Sequence, residues 1–199
     1  MIFEHRVFRV APAGLPELVK ALDGPLRARV EAAGGTVWGA WRGLIGLGAT
    51  EGVVTTLWPD RASVGRASAD LLADVPGVVD HRAERFEPTV RPTDATPPHE
   101  DGVYAFRIFD ILERDRAEFV QLSDGAWPDF ESTYGVRVIG LFRSVDARLP
   151  EARMLLLTRY PSLAVWETSR GGTGAFVRRH QLTRATHVVT TVPLRPGGP

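Results

Sequence analysis

The sequence predicts an α+β fold: two tandem ferredoxin-like units, each β-α-β-β-α-β in order, packed sheet to sheet as an α+β barrel within one chain. Three observations predict it. First, the 199 residues repeat internally. Ile2–Val10 (IFEHRVFRV) matches Val103–Ile111 (VYAFRIFDI) at an offset of 101. The same offset pairs Glu17 with Glu118, Asp23-Gly24 with Asp124-Gly125, Gly34 with Gly135, Gly39 with Gly140, Trp41 with Phe142 and Arg42 with Arg143. Second, both halves show the same succession of strand and helix periodicities. Third, the opening strand is apolar on both faces, with Ile2, Phe8 and Val10 on one and Phe3 and Val7 on the other. Helices can cover one face of such a sheet, and a sister sheet can cover the second.

Each element has its own signal. In the first unit, residues 1–92, Ile2–Val10 alternates as a strand. Leu15, Leu18, Val19, Leu22, Leu26 and Val30 recur at helical spacing, which places an amphipathic helix over Leu15–Ala33. Gly34-Gly35 ends it, and Asp23-Gly24-Pro25 breaks it, with Asp23 expected to cap the second half. Thr36–Trp41 and Val53–Trp58 read as strands joined by a Gly-rich turn, Gly43–Gly48, which opens no helix and so is no phosphate loop. Asp60 or Ser63 opens a helix running to about Ala73, and a strand lies near Glu84–Val90. Residues 93–101 form a linker inside the Pro-rich, polar segment RPTDATPPHEDG. In the second unit, residues 102–199, Phe119, Val120, Ser123, Trp127, Phe130 and Tyr134 mark the matching helix. Asp124-Gly125 and Pro128 predict a break in it. Strands follow near Val136–Ser144 and Arg153–Tyr160, then helices over Ser162–Arg170 and Gly174–Leu182 and a strand through Ala185–Leu194. Gly171-Gly172-Thr173-Gly174 reads as a lid over this unit's cleft or as a tolerated insertion.

Composition narrows the chemistry. Acidic and basic residues balance at 24 each. A general polyanion binder would need a basic excess. No Cys is present, which excludes disulfides, thiol nucleophiles and Cys-ligated metals. The only lysine is Lys20, so Schiff-base chemistry has one candidate. No apolar run approaches a membrane span, and MIFEHRVFRV lacks the pattern of a signal peptide, so a cytoplasmic location is expected. No HExxH or similar spacing joins His5, His81, His99, His180 or His187, so no native metal site is expected.

The residues at the first strands and turns resemble a family. Phe3-Glu4-His5-Arg6-Val7-Phe8 is similar to the opening strand of NIPSNAP domains, whose pattern is aromatic, Glu, any, Arg, any, aromatic. Val37-Trp38-Gly39-Ala40-Trp41 and Thr56-Leu57-Trp58-Pro59-Asp60 resemble the Trp-containing second and third strands of that family. The second unit departs from it, with Ala105 in place of the Glu and Tyr160 in place of the Trp. The resemblance implies the dimeric α+β barrel superfamily, and here a chain that is its own pseudo-dimer. That superfamily includes cofactor-free monooxygenases, isomerases, cyclases and haem-dependent enzymes, as well as proteins of no known activity.

Arg6 and Arg107 hold equivalent places in the two first strands, and Glu4 shares a face with Arg6. The two guanidiniums are expected to share one acid inside the barrel. They would act as a clamp for an anion or enolate, or else Glu4 and Arg6 form a structural ion pair. His5 lies on the opposite face, and its repeat partner is Phe106. It is expected in the first unit's cleft as a general base or haem ligand, or as a satisfied half-buried histidine. Trp38, Trp41, Phe8, Phe109 and Trp127 are candidates to line a hydrophobic substrate site, with Trp38 and Trp41 on opposite faces of their strand. The resemblance offers His180 as the second choice for a haem ligand, because haem-binding relatives can use a histidine on a late helix. Its position after Arg178-Arg179 also fits a solvated face.

These readings lead to a small-molecule enzyme of secondary metabolism or aromatic catabolism. It would perform cofactor-free acid–base chemistry, as an isomerase, lyase or cyclase, on a hydrophobic carbonyl or enol substrate. His5 would move the proton while Arg6 or Arg107 holds the oxyanion. The alternatives are a haem-dependent or cofactor-free oxygenase and a non-catalytic binding module. A homodimer of whole chains is compatible with the sequence. No nucleic-acid or membrane partner is expected.

Overall fold

The structure, a computed structural model, describes residues 1–67, 71–171 and 175–195. Eight antiparallel strands close into one barrel. They are β1 (Ile2–Val10), β2 (Thr36–Ile45), β3 (Glu51–Trp58), β4 (Val78–Pro88), β5 (Val103–Leu112), β6 (Arg137–Ser144), β7 (Glu151–Tyr160) and β8 (Thr183–Pro193). Around the barrel the order is β1-β3-β2-β8-β5-β7-β6-β4. Cut at its two seams, this gives β4-β1-β3-β2 and β8-β5-β7-β6, the same order in each half. At one seam β2 pairs with β8 from Trp41–Pro193 to Ile45–Thr190, and at the other β4 pairs with β6 through Phe86–Ser144, Glu87–Arg143 and Pro88–Phe142. The two sheets thus face one another and are also joined edge to edge, which leaves no open sheet edge in the barrel wall.

Side-chain alternation divides the core. The barrel interior takes residues from all eight strands, among them Phe3, Trp41, Leu57, Phe86, Phe106, Phe142, Leu157 and Val189. Phe3 packs edge-on against Trp38 and Phe142, at centroid distances of 5.0 and 4.9 Å. Trp38 and Trp41 do not point to opposite faces. A bulge between Val37 and Gly39 shifts the register, so both indoles enter the barrel. An equivalent bulge lies between Val138 and Gly140 in β6. The linker lies against one end of the barrel, where Thr96 O accepts from Trp38 Nε1 at 3.1 Å and Glu100 O from Tyr104 Oη at 2.7 Å.

The outer faces carry helices α1 (Leu15–Asp23), α2 (Pro25–Ala32) and α3 (Arg61–Ala67) on the first half, and α4 (Arg116–Tyr134), α5 (Leu163–Thr168) and α6 (Ala175–Gln181) on the second. The apolar stripe Leu18, Leu22, Leu26 and Val30 runs over α1 and α2 and is buried. The break at Gly24 is present, but Asp23 ends α1 and makes no capping bond to α2. Pro25 supplies the start of α2 by its fixed φ. In α4 the expected break is absent, and the helix runs through Pro128. Asp60 caps the α3 end, its Oδ1 accepting from Ser63 N at 2.8 Å. Gly34 and Gly135, at φ +83° and +60°, follow α2 and α4 at equivalent places, where a left-handed residue lets the chain turn back into a strand. No helix among the described residues is long and apolar enough to cross a membrane.

Candidate functional site

The two outer faces differ. In the first half the space over β1 and β3 is filled. Phe8, Trp58, Val64, Leu71, Leu72 and Val75 pack together there, and Trp58 donates its indole N–H to Thr56 Oγ1 at 2.9 Å. Arg6 and Glu4 lie on this helix-covered face, not in the barrel, and are 3% and 1% exposed. Arg6 Nη2 donates to Glu4 Oε1 at 2.6 Å, and Nη1 donates to His81 Nδ1 at 2.9 Å. The structural ion pair is therefore the form that Glu4 and Arg6 take, and Arg107 has no share in it.

His5 also lies elsewhere than expected. It points into the barrel, 4.8 Å from the Phe106 ring centroid and 6.3 Å from that of Phe86, and its Nδ1 is 3.2 Å from Thr55 Oγ1. Burial, helped by the charge of Arg82, pulls the imidazole down to about 3. At neutral pH it is the uncharged imidazole, and a base this weak takes a proton poorly. Trp38 and Trp41 belong to the barrel core, Phe8 to the filled first-half core, and Trp127 to the second-half core under Arg91, whose Cζ lies 5.0 Å from its ring centroid.

The second half keeps its cleft open. A cavity of about 470 Å³, within the usual range for small-molecule sites, lies between the outer face of β5 and β8 and helices α4 to α6. Its floor is Arg107 and Phe109 of β5 with Thr186 and Val188 of β8, residues that face each other in register. Its walls are Phe130, Tyr160, Phe176 and Arg179, with Ser169, Arg170 and His180 also lining it. The difference between the halves starts at one position. Ala105 stands where Glu4 stands, so the acid that neutralises Arg6 has no counterpart beside Arg107.

The cavity is cationic. Among the described residues no Asp or Glu lines it, and neither Arg107 nor Arg179 has a carboxylate partner. Arg179 is 6% exposed, and its guanidinium carbon lies 4.9, 5.3 and 5.8 Å from the ring centroids of Phe176, Phe109 and Phe119. These faces hold the cation while leaving its N–H edges available. A 3.5 Å contact to Ser123 Oγ is its one hydrogen bond among the described residues. Burial, and then repulsion from Arg107, bring Arg179 down to about 10, so it stays charged at neutral pH. Burial pushes the Tyr160 phenol up, against the pull of the nearby Arg107 and Arg179 charges. A wider groove of about 1150 Å³ lies between α1 and the end of β8, but its Lys20 and Asp101 are already in ion pairs, with Glu17 at 2.8 Å and Arg195 at 3.0 Å. Convergent, unneutralised polar groups make the smaller cavity the candidate site.

The cleft thus gathers Arg107, Phe109 and His180 from the residues singled out in the sequence, and adds Phe130, Tyr160, Arg170, Phe176 and Arg179. Arg178 and Arg179 read alike in sequence, yet Arg178 is solvated and pairs with Glu118 at 2.6 Å while Arg179 turns inward. The change from Glu4 to Ala105 was the available signal. Most of the lid expected at Gly171–Gly174 lies outside the described residues. Among the described residues, no three His, Asp or Glu side chains gather as a metal-ligand set.

No known protein family matches the sequence, and neither does any curated protein. Solved structures share the fold. An anthrone oxidase-like protein is 14% identical and superposes with a TM-score of 0.67 over 96% of this chain and 90% of its own. A monooxygenase-like protein from Listeria innocua is 9% identical, with a TM-score of 0.56 over 100% of this chain and 96% of its own. A heme-degrading enzyme from Listeria monocytogenes is 8% identical, with a TM-score of 0.53 over 97% and 99%. At such identities the likeness is one of fold.

Proposed function

We propose that the chain is an oxygenase that binds a flat enol or phenol in the second-half cleft as its anion and passes that anion to dioxygen. The observation that carries this is the pair Arg107 and Arg179, two guanidiniums without a carboxylate in an aromatic-walled cavity. A cation this close lowers the pKa of an acidic hydroxyl or C–H by about 1–3 units. Arg179 is buried and Arg107 half-buried beside it, and guanidiniums positioned in advance stabilise the developing oxyanion with little reorganisation. The phenyl rings flank a planar ligand and exclude water. For an anthrone-type substrate, the carbanion form of the enolate adds to dioxygen. The ring carbon keeps one oxygen as a ketone, and the other leaves as water. The names of the fold neighbours, monooxygenase-like and anthrone oxidase-like, agree with this reading. The isomerase reading rested on His5 as base, and His5 sits in the barrel core. The NIPSNAP-like motif lies in the half whose outer face is filled, so it bears on fold and takes no part in this chemistry. A cytoplasmic location goes with the proposal.

Dioxygen uptake with 1,8-dihydroxyanthrone tests it. Uptake should match quinone formation one to one, and Arg107→Met and Arg179→Met should each lower kcat/KM by about 100-fold. Uptake no faster than autoxidation, or unchanged by both substitutions, would sink the proposal.

Haem is a second reading, favoured by His180 on the cavity wall. The residues fit the group in kind: an imidazole for the iron, and Arg107, Arg170 and Arg179 for its carboxylates. Bound haem would supply redox chemistry at iron, with the arginines holding its acidic edge. A Soret band that saturates at one equivalent of haemin and is lost in His180→Ala would support it, and a flat titration would remove it.

A further inference from the structure

We infer that the ligand of the second-half cleft carries two acidic groups on one planar ring system: a hydroxylated aromatic carboxylate, its carboxylate held by one of Arg107 and Arg179 and its enolate or phenolate by the other. This rests on the reading above that the cleft binds an enol or phenol as its anion, and it adds the substrate class. The charge balance points to it. The chain as a whole is neutral, with 24 acidic and 24 basic residues, yet among the described residues the cavity wall holds Arg107, Arg170 and Arg179 and no acid. Arginines elsewhere show the contrast, since Arg6, Arg91, Arg143 and Arg178 all meet a carboxylate within 3.0 Å.

One negative charge would neutralise one guanidinium and leave the second, at a buried or half-buried site, still without a counter-charge. Two negative charges neutralise both. A guanidinium offers a planar fork that fits a carboxylate with two parallel hydrogen bonds. Arg179 rests on the faces of Phe109, Phe119 and Phe176, so its fork is held without a protein acceptor that a ligand would have to displace, apart from the long contact to Ser123. Phe109, Phe130 and Phe176 lie around the same space and supply apolar faces for the rings between the two acidic groups. An aliphatic diacid would leave those faces unused, and a neutral arene would leave both cations uncompensated.

Binding of three probes with one skeleton decides it: 2-naphthol, 2-naphthoate and 6-hydroxy-2-naphthoate, measured calorimetrically on the full chain, with naphtholate absorption read in parallel. The hydroxynaphthoate should bind at least about ten-fold tighter than either single-group probe, and should show the naphtholate band when bound. Arg107→Met and Arg179→Met should each cut its affinity to the level of the single-group probes, while circular dichroism stays that of the parent. Arg107→Lys, which keeps the charge and loses the fork, should recover part of it. Binding of 2-naphthol as its anion, as tight as that of the hydroxynaphthoate, would overturn the two-acid class and leave the oxygenase reading standing. Binding of 2-naphthoate as tight as that of the hydroxynaphthoate, with no naphtholate band, would overturn both. So would no binding by any probe.

Discussion

The buried imidazole of His5 and its repeat partner Phe106 show what one residue can decide. Both point into the barrel, and they pack against each other at 4.8 Å. His5 was legible as the odd member of the pair, but its face was not: strand alternation shows which residues share a face, not which face the helices will cover. Its burial has a consequence for stability. The imidazole titrates near 6.5 in the unfolded chain and at about 3 in the fold. Between those values the unfolded state binds the extra proton, so stability is full above about pH 6.5 and is lost as pH falls toward 3. The slope contributed is at most one proton, about 1.4 kcal/mol per pH unit. His5→Phe, which copies Phe106, should flatten the pH dependence of urea-unfolding free energy by that amount between pH 6 and pH 4. Parallel profiles for parent and variant would show that His5 is not held neutral. The same residue-scale logic explains the cleft: Ala105 in place of an acid leaves Arg107 charged and unmatched, a sign present in the sequence from the start.

Among the elements, the two second strands are built alike. Each bulges before a glycine, Gly39 or Gly140, and places an aromatic two residues on, Trp41 or Phe142, back across that glycine. A Cβ at Gly39 would collide with the Trp41 indole, and one at Gly140 would stand 2.6 Å from Phe142 Cζ and 2.8 Å from Pro92 Cδ. Side chains in a closed barrel cannot retreat, because the opposite wall is packed against them. Gly39→Ala should therefore cost about 3 kcal/mol or more, and Gly140→Ala somewhat less, both read from urea unfolding. A cost below about 1 kcal/mol at Gly39 would mean that the indole has room to shift. The glycines stood out in the repeat, but the bulge did not, and without it Trp38 and Trp41 read as facing opposite ways. The helices were legible by period and by their terminal glycines. The continuity of α4 through Pro128 was not, since Asp124-Gly125 looks like the break that Gly24-Pro25 makes in the first half.

For the whole molecule, the repeat and the two-faced strands sufficed to predict the barrel, because only a second sheet can bury Phe3, Phe86, Phe106 and Phe142 together. They could not show which outer face stays open. In the first half Leu71 and Leu72, which follow α3, help fill the outer face, while in the second half the face of β5 and β8 leaves about 470 Å³. The halves are thus unequal in role: one outer face is core, and the other is the cleft. Neither half should stand alone. Residues 1–92 would expose Phe3, Trp38, Trp41 and Phe86 together with the unpaired edges of β2 and β4, and residues 102–199 would expose the matching surface. The cleft floor includes the outer face of β5, and the inner face of that strand packs against the first half through Tyr104 and Phe106, so ligand affinity depends on both. Expressed separately, each half should self-associate or precipitate, as judged by light scattering. Co-refolding the two should restore a one-to-one complex that binds the hydroxynaphthoate probe. A monomeric half with a cooperative unfolding transition would show that the units are independent domains, and binding by residues 102–199 alone would show that the cleft needs no partner sheet.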